Sequence, residues 1–203
     1  MGSTTNDLIK RTFDFTVSAI AIFLLLPLFG VISLLIKLDS KGPIIFKQVR
    51  IGKSGKEFKI YKFRTMVMNA EKLGKQITVG RDPRITRVGY FLRKFKLDEL
   101  PQLFNVLKGD MSFVGPRPEV PHYTQLYNEE QKKVFTVRPG ITDYASIKYR
   151  NENEILTKSE DPEKTYIEVI MPDKLKLNLK YIEEQSLWLD IKIIFMTLYK
   201  IIK

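Results

Sequence analysis

Asp98 and Glu99 adjoin in Leu97-Asp98-Glu99-Leu100-Pro101, and neighbouring carboxylates can serve either a helix end or a phosphate. In the first use Asp98 is the N-cap of a helix continuing through Gln102 and Phe104. Glu99 then takes its first position, and Pro101 sits in the first turn, where a missing N–H does little harm. In the second use the same helix start attracts an anion and orients a diphosphate beside the acids. Carboxylates facing phosphates need a metal or several cations between them. Lys62, Arg64, Arg93, and Arg117 between Pro116 and Pro118 are candidates, although each alone also suits a solvated surface. His122, the sole histidine, reads as an ordinary polar residue beside Pro121 and not as a general base.

What positions these residues is bounded first by length: 203 residues allow one substantial core, or a smaller core plus a membrane element. The second reading fits better. Phe15 to Ile36 carries no charge over 22 residues, about 33 Å as a helix, which matches the hydrocarbon thickness of a bilayer. It is too long for a signal-peptide core, and Lys37-Leu38-Asp39-Ser40-Lys41 is no small-residue cleavage site, so the segment is expected to stay attached. Pro27 near its middle removes one backbone donor and predicts a kink. Hydropathy alone leaves a bitopic helix and a re-entrant one both open. Residues 37–64 hold nine Lys or Arg against Asp39 and Glu57, which puts the chain after the apolar run on the cytoplasmic side. The net charge of +11 favours acidic partners such as phosphates, anionic headgroups or nucleic acid without choosing among them. The absence of cysteine excludes disulfides, thiolate metal sites and cysteine nucleophiles.

Ile44–Val49 and Phe58–Phe63, rich in aromatic and β-branched residues and separated by Gly52-Lys53-Ser54-Gly55, predict a β-hairpin. Tyr90–Phe95 has helical spacing, and Leu100–Leu107 predicts a second helix stopped by Gly109, so two helices meet at Asp98. Asn128–Val134 reads as a short polar helix, and Arg138-Pro139-Gly140 as a turn before the segment from Ile141 to Arg150. From Leu187 to Lys203, Trp188, Ile191, Ile194, Phe195, Leu198, Tyr199 and Ile202 alternate with charges. This pattern suits a helix in the membrane interface or one packed on a core.

Lys59-Ile60-Tyr61-Lys62-Phe63-Arg64-Thr65-Met66, the block from Leu97 to Ser112, Phe113-Val114-Gly115-Pro116-Arg117-Pro118 and Arg138-Pro139-Gly140-Ile141-Thr142 follow one another in that order. In this the chain resembles the bacterial sugar transferases, the small monotopic phosphoglycosyl transferases related to the Campylobacter enzyme of N-glycan assembly, over nearly all its length from Lys10 onward. The resemblance implies a single domain, 1–203, of α+β, mainly helical class. Its parts would be a re-entrant membrane helix over 15–36, kinked at Pro27, and a catalytic part over 37–203. A small β-hairpin and interfacial amphipathic helices would surround a site at the cytoplasmic face of the bacterial inner membrane. It implies a two-step transfer from a UDP-sugar to a polyprenol phosphate, undecaprenyl phosphate in particular, as the first membrane step of exopolysaccharide, capsule or glycoconjugate assembly. Asp98 matches the nucleophile and Glu99 the acid associated with Mg²⁺. Arg93, Arg117 and Arg150 match phosphate or nucleotide contacts, and Lys62, Arg64 and Arg138 complete the expected substrate-binding set.

The chain departs from its relatives in two places. Leu26-Pro27 stands where they often have Ser-Pro, and Asp143-Tyr144-Ala145-Ser146-Ile147-Lys148-Tyr149-Arg150 replaces a common Gly-Trp-Ala-Gln-Val-Asn-Gly-Arg, so that Arg150 aligns while its neighbours differ. Two other classes remain open on the sequence. A non-enzymatic membrane-anchored scaffold explains the apolar run and basic surface, and a nucleic-acid binder explains the charge, although no recognition motif for nucleic acid is present and none is expected as a partner. Membrane lipids are expected partners, and a homodimer is left open.

Overall fold

The uncharged run is the central part of α1, Gly2–Asp39, a continuous helix with Pro27 inside it, about 57 Å of chain at 1.5 Å per residue. A computed structural model gives the fold and describes residues 2–70 and 82–202. Among the described residues α1 is the one helix long and apolar enough to cross a membrane. Ile32 and Ile36 are buried with Phe63 and Leu92, whereas Phe15, Ile20, Phe23, Leu24, Leu26, Val31, Leu34 and Leu35 are exposed. Both arms of α1 dock on the rest of the chain. Near the start, Lys10 pairs with Asp190, Asp14 Oδ1 accepts the Phe113 N–H at 3.2 Å, and Arg11 donates to the carbonyls of Val106 and Leu107 at 2.6 and 2.8 Å. Near the end, Phe29 lies 5.5 Å from the Phe63 ring and 6.0 Å from the Phe104 ring.

The expected hairpin forms from β1, Ile45–Ile51, and β2, Glu57–Phe63, antiparallel with Phe46 opposite Lys62. Next comes α2, Arg87–Lys94, whose first free N–H groups are met by Thr86 Oγ1 and by Asp39 Oδ2 at the end of α1. Then α3, Gln102–Lys108, ends at Gly109 with φ +94°, the left-handed cap for which glycine has no Cβ penalty. Arg11 adds a cation at the two carbonyls before that end, where the helix dipole favours it. Asn105, fully buried in α3, accepts the Tyr61 N–H at 3.0 Å and donates to the Lys59 carbonyl at 2.8 Å. Its amide therefore completes the outer edge of β2 as another strand would, and fixes the Asp98 region against Lys62.

The motifs around Gly115 and Gly140 meet in a pairing that no local pattern indicates: β3, Ser112–Val114, runs parallel to β4, Gly140–Thr142, with Ser112 opposite Gly140 and Val114 opposite Thr142. A Cβ on Gly140 would stand 2.1 Å from the Gly115 nitrogen, and one on Gly115 2.4 Å from the Arg138 carbonyl oxygen, so backbone contact excludes any side chain there. Between these strands lies α4, Pro121–Thr124. After them come α5, Tyr144–Lys148, α6, Glu152–Thr157, α7, Pro162–Thr165, α8, Met171–Glu184, and α9, Leu187–Ile202. The polar helix expected over Asn128–Val134 is instead a pair of 3-10 turns, Gln131–Thr136, opened by reciprocal hydrogen bonds between Asn128 and Gln131. The largest core gathers Val120, Tyr123, Tyr127, Val134, Leu156, Tyr166, Ile170, Met171 and Leu175. The core-packed reading of the C-terminal stretch holds for one face of α9. Asp190 and Ile193 are buried, whereas Trp188, 78% exposed, joins Phe195, Leu198 and Tyr199 on an open apolar face.

Candidate functional site

The chain between α2 and α3 corrects the capping expectation. Lys96 takes a left-handed backbone, φ 56°, and turns the chain into a 3-10 turn, Leu97–Glu99, before α3 starts with Pro101 as its N-cap. Asp98 therefore precedes the helix without capping it. It is 7% exposed, and its Oδ1 is buried with no hydrogen-bond partner among the described residues. Glu99 is the opposite case. Its Oε1 accepts Lys62 Nζ at 2.9 Å and Arg117 Nη2 at 2.5 Å, and Arg117 Nη1 reaches Oε2 at 3.4 Å.

These surroundings drive two neighbouring acids apart. Burial pushes the Asp98 carboxyl above the ordinary aspartate value and the charge of Glu99 adds to it, while Lys62, Arg93 and Lys96 oppose the shift. Burial by itself would raise Glu99 as well, but Arg117 and then Lys62 outweigh it and hold that group well below the usual carboxylate range. Burial lowers the Lys62 ammonium, with Glu99 opposing. The result is one carboxylate locked as an anion by two cations and one left without a partner, a division of roles typical of acids that share a reaction.

Of the residues singled out in the sequence, the fold brings Lys62 from β2, Arg93 from α2 and Arg117 from the loop after β3 around the acid pair. The charge of Arg93 acts on Asp98. It gives the other three arginines carbonyl partners on other elements. Arg64, buried, holds the turn after α1 through the carbonyls of Lys41 and, at 2.8 Å, Ser40. Arg138 Nε donates to the Gly109 carbonyl at 2.9 Å, and Arg150 Nη2 to that of Ile201 at 3.2 Å. His122 is exposed with its ring against Tyr123, as expected of an ordinary polar residue. Arg50, Glu119, Asp143 and Tyr166, which no spacing in the sequence links to the acids, lie behind Arg117.

Among the described residues no three His, Cys, Asp or Glu come together as a metal cluster. Among the described residues, Asp98 and Glu99 are the carboxylates that a magnesium ion here could draw on. That donor set still fits, because Mg²⁺ is commonly held by one or two carboxylates and takes its other ligands from substrate phosphates and water. The unpartnered Asp98 Oδ1 is available for it, and Glu99 would exchange a cation for the ion.

An α+β body carrying one apolar helix of membrane length and a cation-ringed pair of unequal acids defines a class suited to phosphate chemistry. The chain belongs to the bacterial sugar transferase family, whose sequence profile matches residues 5–203. It is 42% identical over 203 residues to the UDP-glucose:undecaprenyl-phosphate glucose-1-phosphate transferase of Escherichia coli (strain K12), with 98% of this chain and 41% of the relative covered. It is also 42% identical over 197 residues to the UDP-N-acetylgalactosamine-undecaprenyl-phosphate N-acetylgalactosaminephosphotransferase of Aeromonas hydrophila, covering 96% of this chain and 44% of the relative. A sugar transferase of Bacillus subtilis (strain 168), EpsL, is 39% identical over 200 residues, covering 96% of this chain and 88% of the relative. The chain thus spans less than half the length of the first two relatives and most of the third.

Proposed function

We propose that the chain transfers a phosphosugar from a UDP-sugar to undecaprenyl phosphate through a covalent Asp98 intermediate. The observation that carries this reading is the buried, unpartnered Asp98 Oδ1 beside a Glu99 that two cations keep ionised. In the first step the Asp98 carboxylate attacks the sugar-bearing phosphorus, the phosphoanhydride P–O bond breaks, and UMP leaves with the bonding electrons. In the second, a phosphate oxygen of the polyprenol phosphate attacks the same phosphorus. The acyl-phosphate bond breaks, the carboxylate returns, and polyprenyl diphosphate sugar is the product. Lys62 and Arg117 share Glu99 at rest and offer their charge to the diphosphate, while Arg93 offsets negative charge at Asp98. Bound magnesium, held by Glu99, would neutralise diphosphate charge and ease departure of UMP. The substrates that the names of the E. coli and A. hydrophila relatives carry, UDP-linked sugars and undecaprenyl phosphate, support the substrate classes. The test is intact-protein mass measurement after mixing with a panel of UDP-sugars and Mg²⁺ without acceptor. One UDP-sugar should release UMP and add one phosphosugar to the chain, and UMP release that begins only after acceptor is supplied would overturn the two-step scheme.

A site that takes its acceptor from a bilayer must lie at the headgroup plane, and α1 is the element to hold it there. Arg11 and Phe29 are 18 positions apart, about 27 Å along a straight helix, yet they meet α3 at Val106, Leu107 and Phe104, within one turn of each other. A helix crossing the bilayer would leave its ends on opposite faces, out of reach of one small body. This favours the re-entrant form, bent at Pro27, with the exposed apolar residues of α1 and α9 in lipid and the basic stretch 37–64 in the cytoplasm. Because the chain has no cysteine, Thr5→Cys and Lys41→Cys report topology cleanly. Neither should react with an impermeant thiol reagent applied to intact cells, and labelling of Cys at position 5 alone would establish a bitopic helix instead.

A further inference from the structure

Arg117 projects from a segment that has almost no backbone donors. Pro116 and Pro118 lack an N–H, so the segment offers a single one, that of Arg117, which goes to Asp143 Oδ2 at 3.2 Å. Its carbonyls do the remaining anchoring. The Pro116 carbonyl accepts the Gly140 N–H at 3.0 Å, and the Pro118 carbonyl accepts Arg50 Nη1 at 3.0 Å. Arg50 comes from β1 and makes two further bonds, Nη1 to Glu119 Oε1 at 3.1 Å and Nη2 to Gln48 Oε1 at 2.7 Å. Glu119 is fixed in turn. Its carbonyl accepts the Ile51 N–H at 3.0 Å, its Oε1 the Val120 N–H at 2.8 Å, and its Oε2 the hydroxyl of buried Tyr166. Tyr166 opens a π-helical turn, Tyr166–Ile170, a rare form that recurs at functional sites.

We propose that Arg50, braced by Glu119 and Tyr166, is a positioning residue that holds the Arg117 guanidinium in place for the donor diphosphate; this rests on the proposed reading of Arg117. Only a planar fork reaches the Pro118 carbonyl, Glu119 and Gln48 together, so lysine can replace it only in part. A neutral side chain could tie β1 to the loop. A half-buried cation adds repulsion on Arg117 and Lys62, which biases both toward Glu99 and an incoming phosphate. Asp143, at the other side of the segment, sets its register through the one available N–H.

The test is a double-mutant cycle on the rate of phosphosugar adduct formation, with Arg50→Gln, Arg50→Lys and Tyr166→Phe each made in the wild-type and Arg117→Ala backgrounds. In the wild-type background Arg50→Gln should slow adduct formation by about 10–10²-fold, mainly by raising the KM for UDP-sugar, with Arg50→Lys in between and Tyr166→Phe costing several-fold. In the Arg117→Ala background the same changes should cost less than about twofold, because there is nothing left to position. Undiminished losses in that background would overturn the inference while leaving the transfer reaction intact. Absence of any adduct on the wild-type chain would overturn both. Tyr166→Phe removes one hydroxyl, so it carries the cycle should Arg50→Gln fail to fold.

Discussion

Asp98→Asn is expected to abolish phosphosugar adduct formation and UMP release, by on the order of 10³-fold or more, and to make the protein more stable at the same time. The amide keeps the shape of the side chain but cannot form the acyl phosphate. The gain in stability follows from the direction of the Asp98 shift. Its folded-state value lies above the ordinary 3.8, so the folded state holds that proton more tightly than the unfolded chain does, and stability falls as pH rises through the window above 3.8. Ionising this buried carboxyl, whose Oδ1 has no hydrogen-bond partner among the described residues, costs the folded state stability that asparagine restores, about 1 kcal/mol. Thermal unfolding in detergent with a chelator should therefore show the variant melting higher near pH 7, with the two curves converging below about pH 4 as Asp98 protonates in both states. A variant that melts lower at neutral pH would mean that the carboxylate is a structural ligand, and retained adduct would remove it from the chemistry.

Glu99→Gln should do the reverse to stability while also losing activity. Arg117 and Lys62 hold the Glu99 carboxyl well below its ordinary 4.5 against the opposing effect of burial. Its contribution is therefore present above that ordinary value and is lost as pH falls toward the depressed one. The glutamine leaves two cations converging on a neutral oxygen. With Arg117 partly exposed and screened by solvent, the loss is about 2 kcal/mol, which lowers the melting temperature by several degrees for a chain of this size. Adduct formation should fall by about 10²-fold, because the same side chain sets both cations and is the proposed magnesium ligand. Melting measured with chelator and activity measured across magnesium concentrations separate the two roles. A variant with unchanged melting but a raised magnesium requirement would show that the ion pairs contribute little, and one with unchanged activity would remove Glu99 from the site.

The opposite outcomes at adjacent positions show what distinguishes the two acids, and nothing in Leu97-Asp98-Glu99-Leu100 indicates it. Their difference comes from Lys62 and Arg117, 37 and 18 residues away, reaching one carboxylate and not the other. The capping role assigned to Asp98 by local pattern is overturned by a single left-handed residue, Lys96, which inserts a 3-10 turn ahead of α3. The carbonyl partners of three further candidate arginines are likewise set by distant segments. Charge type and motif membership mark Arg64, Arg138 and Arg150, but the bonds to the carbonyls of Ser40, Gly109 and Ile201 depend on chain crossings that no motif encodes.

Local chemistry alone determined a good deal of this protein. The apolar run gave α1, alternating β-branched and aromatic residues around a glycine-bounded turn gave the hairpin, and Gly109 gave the end of α3, because hydropathy, side-chain alternation and backbone freedom act within a few residues. Tertiary structure decided the parallel pairing of β3 with β4, the docking of both arms of α1 on one body, and the bracing of Arg117 by Arg50, Glu119 and Tyr166. These depend on burial and on hydrogen bonds between distant segments, and a charge acquires its pKa and its partner only after the fold has excluded water around it.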